Sequence, residues 1–304
     1  MCDSAWVLTC DPGVDDAIAL AVLAGCGDDV LRTVVAGAGN VDGPTAWRNT
    51  VGLAALFGLD VPVHVGSTTT CDGAPIHRPG DVHGTDGLAG LARLLPARPE
   101  ASTMPAVPPG GAQSLQGQVV AIGPLTDVAL AVRSGHALDR LVWMGGALLP
   151  GAADAPDARP APDAVEFNAA ADPAAVGDVL ASDEIDIEVV PLDITRQVRL
   201  SSGDLARWTG GPPAIRLCAA LAGSRLADGI VTLHDAVAVV AALEPDLFRW
   251  KSLHLRCPPA HDRPRGALVV DGSPGRSPNA RVAVAVDAPA VVDVIVESVA
   301  ALGR

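Results

Sequence analysis

The sequence predicts an α/β protein with a mainly parallel central sheet flanked by helices, a Rossmann-like open sheet in a single domain spanning residues 1–304. Three observations carry this expectation. Short β-rich runs alternate with helical stretches along most of the chain, the pattern that lays crossover helices on a parallel sheet. The hydrophobic content is 49% with only 3% aromatic residues and no tyrosine, so the core is Ala, Val, Leu and Ile, which suits strands buried on both faces. No segment has a composition shift on both sides that would mark a domain boundary, no internal repeat occurs, and the length allows one large core.

Taken in order, residues 5–10 (AWVLTC) read as a buried strand and 17–24 as the helix after it. The β-rich pattern returns at Leu31–Ala36 and at 61–65, 119–122, 141–144 and 187–191. Helical stretches at 46–57, Thr126–Arg133 and 173–181 separate these strands. Residues 96–118, 150–162 and 258–266 are rich in Pro and Gly and read as long surface loops. Residues 268–271 and 280–286, joined by the turn-rich GSPGRSPN, predict a late hairpin before a closing helix at 290–302.

The formal charge of -14, with Lys251 as the one lysine, leaves no basic stripe for a phosphate backbone or an anionic lipid surface. Nucleic acid and membranes are therefore not expected partners. No apolar run is long enough to span a bilayer and no basic-then-apolar leader opens the chain, so a cytoplasmic protein is expected. Six scattered cysteines without a CxxC pair indicate neither a structural zinc site nor a disulfide framework.

In open α/β sheets ligands bind beyond the carboxyl ends of the strands, and those tips are chemically loaded here. The first strand runs into TCDPGVDD, with Asp11, Asp15 and Asp16 inside six residues. Carboxylates gathered so closely raise one another's pKa unless a cation or hydrogen-bond donors compensate them, although an Asp-Pro-Gly turn with a capping Asp is the plainer alternative. Further tips carry Gly39-Asn40, Gly123 to Asp127, Gly145-Gly146, Glu166-Phe167-Asn168, Asp193 and His234-Asp235. Oxygen donors at this density, with little sulfur, suit Ca²⁺ or Mg²⁺ rather than zinc.

Other chemistries fail on the residues. No GxxxxGK[ST] exists, and GAGNVDG at 37–43 has Asp42 where a dinucleotide fingerprint needs its last glycine. An aspartyl-phosphate site would want a second Asp where Gly13 stands.

DPGVDD with Gly39-Asn40, HGTDGL at 83–88, GPLTDVALA at 123–131, WMGGA at 143–147, EFNAAADP at 166–173, PLDIT at 191–195 and HDAVAVV at 234–240 occur in one order. This ordered set closely resembles the inosine–uridine nucleoside hydrolases, from residue 6 to about residue 248 with a looser fit beyond. The resemblance implies a calcium-dependent hydrolase that splits a ribonucleoside into ribose and a free base, working as a homodimer or homotetramer. It implies Ca²⁺ held by Asp11, Asp16, Asp235 and the Thr126 main-chain carbonyl, with Asp11 also taking a proton from the attacking water. Asp15, Asn40, Glu166, Asn168 and Asp235 are then expected at the ribose, with Phe167 packed beside the substrate. His234 is expected to protonate the departing base, and His83 to lie on a loop over the pocket. Trp47, Trp143, Trp208 and Trp250 read as core or surface anchors.

One departure concerns the 5′ end of the sugar. The family carries an Asn shortly before EFN, whereas no Asn lies between Gly146 and Asn168 here and Pro160 stands in that vicinity. Two other readings stay open at this stage: a hydrolase of a different ribosyl compound, and a calcium-dependent nucleoside or ribose binder without catalysis.

Overall fold

A computed structural model of the chain describes residues 5–76, 82–96, 99–100, 103–104, 110–148, 165–258 and 264–303. The strands in chain order are β1 (Trp6–Cys10), β2 (Leu31–Ala36), β3 (Val63–Val65), β4 (Gly117–Ala121), β5 (Leu138–Met144), β6 (Asp186–Val190), β7 (Leu200–Ser201), β8 (Ile230–Val231), β9 (Phe248–Leu253), β10 (Leu255–Arg256), β11 (Val269–Val270) and β12 (Ala280–Val286). The helices are α1 (Val14–Gly25), α2 (Gly43–Phe57), α3 (Gly110–Gln113), α4 (Thr126–Arg133), α5 (Phe167–Ala171), α6 (Pro173–Leu180), α7 (Leu192–Thr195), α8 (Ser202–Ala206), α9 (Pro213–Gly223), α10 (His234–Leu243) and α11 (Ala288–Ala300).

Eight strands form one sheet in the order β3-β2-β1-β4-β5-β6-β12-β9, parallel throughout except for the edge strand β9. The first six follow the doubly wound order 3-2-1-4-5-6, whose direction of winding reverses between β1 and β4. Thr9 pairs with Ala121 across that junction, so Asp11 and Gly123 emerge side by side at the carboxyl edge.

Alternate residues of each strand feed two cores. Trp6, Leu8 and Cys10 join the cluster on one face while Val7 joins the other, and Val120 and Ile122 are separated from Val119 and Ala121 in the same way. Two helices lie deepest. In α1 every residue from Asp16 to Leu23 is buried, and in α10 every residue from Asp235 to Ala242. Both are Ala- and Val-rich, which lets them pack closely against each other on one face of the sheet. Their amino ends, which carry the acidic residues, therefore open at the same place.

The expected late hairpin is not formed. β11 pairs with β10, and β12 lies between β6, to which it is parallel, and β9, to which it is antiparallel. Ala280, Val282 and Ala283 are buried and face both cores, so β12 needs a partner on each side; the turn-rich linker joins two different sheets. In the 96–118 stretch, α3 and the start of β4 replace the end of the expected loop. The 150–162 stretch, expected as a loop, lies outside the described residues. The described cysteines are free thiols, and no helix among the described residues is long and apolar enough to cross a membrane.

Candidate active site

The acidic turn is held by main-chain amides. Asp16, the third residue of α1, reaches back so that its Oδ2 accepts from Gly13 N at 2.8 Å, while its Oδ1 accepts from Asp11 N at 3.0 Å. This is an ordinary helix-start arrangement, and it fixes Asp16 with its charge pointing along the helix axis. Asn40, at the tip of β2, clamps the turn from the side: its N donates to Asp11 Oδ2 at 2.7 Å and its Nδ2 to Asp16 Oδ2 at 3.2 Å. The approach is possible because residue 39 is glycine, where a Cβ would sit 1.8 Å from Asp11 Oδ2.

Asp235, in the first turn of α10, completes the cluster. Asp15, Asp16 and Asp235 each offer an oxygen, and these oxygens lie within 4.8 Å of one another. Asp11 is fully buried, yet its Oδ1 has no hydrogen-bond partner, and neither has Asp15 Oδ1. Burial and then the Asp16 charge push the Asp11 carboxyl well above the usual carboxylate range; burial and the charges of Asp15, Asp16 and Asp11 do the same to Asp235. Among the described residues no arginine or lysine pairs with any of the four. Two helix amino ends offset part of this charge, but buried oxygens without donors remain. The donor set thus fits a hard divalent cation.

The Thr126 carbonyl, expected among the cation's ligands, lies 3.9 Å from Cys71 Sγ. Thr126 opens α4, its Oγ1 donates to Asp172 Oδ2 at 2.8 Å, and it lines a separate small cavity with Thr9, Ser67 and Asp127. At this end of β4 it is Ile122 that lines the cleft, and its main-chain carbonyl accepts from Asn168 Nδ2 at 3.0 Å. The peptide after it abuts the cluster, since a Cβ on Gly123 would lie 2.8 Å from the unpartnered Asp11 Oδ1.

A cleft of about 290 Å³ opens beside the cluster, lined by Asp15, Asn40, His83, Ile122, Met144, Val165, Glu166, Phe167, Asn168, Leu192, Arg196, His234 and Asp235. Eight of the eleven residues expected at the site therefore meet at one opening, with Asp11 and Asp16 just beneath it. Asn168 spends its Nδ2 protons on the carbonyls of Ile122 and Met144, both at 3.0 Å, leaving its Oδ1 as the group to offer a ligand. Glu166 caps α5: Oε1 accepts from Asn168 N, and Oε2 from Ala169 N and Gly146 N. Burial pushes its carboxyl up against the pull of those amides. The amide of Phe167 adds to this pull, so four main-chain donors act on the Glu166 carboxylate.

His234 opens α10, with Nδ1 2.7 Å from Thr195 Oγ1. Burial first, and then the charges of Arg196 and Arg225, hold its pKa below the usual histidine value against the pull of Asp15. Across the opening, His83 Nδ1 accepts from Val14 N at 3.1 Å, so the proton of its neutral ring sits on Nε2; the 3.7 Å approach of Nδ1 to Asp15 Oδ1 carries no N–H between them. Trp143 and Trp208 are buried in the cores, as expected of anchors. Pro160, in the altered 5′ segment, lies outside the described residues. Residue-type reasoning missed Ile122, Met144, Val165, Leu192 and Arg196, of which only Arg196 carries a chemical signal.

Comparison with known proteins gives this geometry a family. The sequence profile described as inosine-uridine preferring nucleoside hydrolase matches residues 6–293. The chain is 31% identical to the pyrimidine-specific ribonucleoside hydrolase RihA of Shewanella baltica, over 96% of this chain and 95% of that protein. It is 30% identical to the non-specific ribonucleoside hydrolase RihC of Salmonella agona, over 92% of each. Among solved structures, the plant nucleoside hydrolase PpNRh1 superposes with a TM-score of 0.80 at 25% identity, covering 99% of both chains. The purine-preferring ribonucleoside hydrolase of Gardnerella vaginalis has the same fold, with a TM-score of 0.83 at 21% identity over 98% of this chain and 99% of that one. With its profile, its relatives and its carboxylate-rich cleft at the sheet's switch point in agreement, the chain belongs to the inosine-uridine preferring nucleoside hydrolases, enzymes that cleave N-glycosidic bonds.

Proposed function

We propose that this protein is a calcium-dependent ribonucleoside hydrolase that releases ribose and a free base from a small-molecule nucleoside. The observation that carries the reading is the buried carboxylate cluster with unpartnered oxygens at the floor of a cleft whose mouth holds His234. Asp11, Asp16, Asp235 and the Ile122 carbonyl would hold the cation, which supplies affinity for the ribose diol and acidifies water when bound.

The chain's own groups do the rest. Asp11 is buried, and its Oδ1 is free of donors, so it can take the proton of a water attacking C1′. Asp15 Oδ1, Asn168 Oδ1 and the Glu166 carboxylate are acceptors for ribose hydroxyls. As the C1′–N bond breaks, positive charge grows on the sugar beside these carboxylates, which stabilise it. His234, with Nδ1 tied to Thr195, turns its other ring edge to the leaving base and is the residue to protonate it.

A homodimer or homotetramer belongs to the same reading and rests on the resemblance. The test is free-base release from a panel of purine and pyrimidine ribonucleosides, with calcium and with a chelator. Release that needs calcium supports the reading. Release unaffected by chelation removes the metal from it, and no release from any nucleoside leaves a binder.

A further inference from the structure

The cleft contains one arginine among its described residues, and no lysine. Arg196 follows Thr195, whose hydroxyl bonds His234, so it stands on the leaving-group side of the opening. Its charge is close enough to be felt by both His234 and Asp193. No hydrogen bond or ion pair to its guanidinium is made among the described residues. Other arginines are committed: Arg225 Nη1 donates to Val82 O at 2.5 Å, and Arg140 and Arg281 both bind Glu188. Arg196 is exposed at the rim of the opening, where it can reach a ligand held among Asp15, Glu166 and Asn168.

We propose that Arg196 meets the departing base and carries the negative charge that builds on its ring oxygen; this rests on the ribonucleoside hydrolase reading above. When the C1′–N bond breaks, both electrons leave with the base and delocalise onto its carbonyl oxygen. The water oxygen bonds to C1′, its proton passes to Asp11, and the base anion then takes up one proton, so the sum is addition of one water across the bond. Arg196 stays protonated throughout, since a guanidinium does not release its proton in this range. Its N–H groups strengthen their hydrogen bonds as the oxygen gains charge, which favours the transition state over the bound nucleoside. A base with an amino group in that place sets donors against donors, and the arginine then gives no help. Arg196 is thus a selector of oxo-bases such as hypoxanthine and uracil over their amino counterparts adenine and cytosine.

The experiment compares the calcium-loaded wild type with Arg196→Met and Arg196→Lys on inosine, adenosine, uridine and cytidine. Arg196→Met is expected to lower kcat/KM about 10- to 100-fold for oxo-nucleosides of whichever base class is cleaved, the range for a lost charged hydrogen bond. The amino-nucleosides should change less than about threefold, as expected where no such bond is lost, and lysine should recover part of the loss. An equal loss on oxo- and amino-nucleosides overturns the proposal while leaving the hydrolase reading intact. A wild type that releases no base from any of them overturns both.

Discussion

The unpartnered oxygen of Asp11 divides what this residue does for chemistry from what it costs the fold. Burial and the charge of Asp16 raise its pKa, so folding makes the ionised form less favourable than it is in the unfolded chain. Asp11→Asn keeps an oxygen for Asn40 N and turns an amide towards the neighbouring carboxylates. It should lower kcat by at least about 10²-fold, a typical contribution of a general base. In chelator it should also stabilise the protein by about 1 kcal/mol, the scale of a gain at a functional site. Activity assays and thermal melts of the two proteins check both signs. His234 separates in a different way. A natural base leaves poorly without a proton, whereas p-nitrophenolate does not need one, so His234→Ala should cost about 10²–10⁴-fold on a nucleoside and little on p-nitrophenyl riboside. Equal losses on the two substrates would make His234 a support for Asp235 instead.

Elements explain why these residues meet. The loop after β2 brings Asn40 onto the acidic turn only because Gly39 has no side chain; a Cβ there would sit 1.8 Å from Asp11 Oδ2. Gly39→Ala should therefore abolish calcium-dependent activity while costing about 1–3 kcal/mol of stability, the price of overpacking; measuring calcium affinity by calorimetry together with a melt tests this. How much could be read in advance differs by element. The acidic turn was legible because three carboxylates in six residues announce themselves, and the parallel sheet because the core strands are apolar on both faces. The Ile122 carbonyl was not, since a main-chain oxygen leaves no letter in the sequence, and the family resemblance pointed to the carbonyl of Thr126, four positions on. The late hairpin was misread because GSPGRSPN is locally a good turn, while the burial of both faces of β12 decides its pairing only in the assembled sheet. Arg196 follows PLDIT with no sequence pattern that marks it as a site residue.

At the scale of the molecule, two buried helices point their amino ends and their aspartates at one spot. With carboxyl pKa values raised in the folded state, the stability they contribute is fully present below the unfolded carboxylate pKa and lost as pH rises through the folded values. The chelated protein should therefore lose stability between acid and neutral pH from this cluster, and calcium should restore it. At a hundredfold excess over Kd, calcium binding adds about 2.7 kcal/mol. The rise in Tm on adding calcium should accordingly be larger at pH 7.5 than at pH 5, as a fluorescence melt with and without chelator will show; an equal rise at both would place the cation away from these residues.

The pairing of β1 with β4 also has a bearing on time. It joins residues more than a hundred positions apart, Val7 with Val119, whereas β1 and β2 are near neighbours in the chain. Contacts that close so large a loop form late, after local pairings have already formed. Asp11 and the Ile122–Gly123 peptide thus come together only near the end of folding, and a cation bound between them is absent from the rate-limiting barrier. Calcium should slow unfolding by the full factor of its binding energy and leave the refolding rate unchanged.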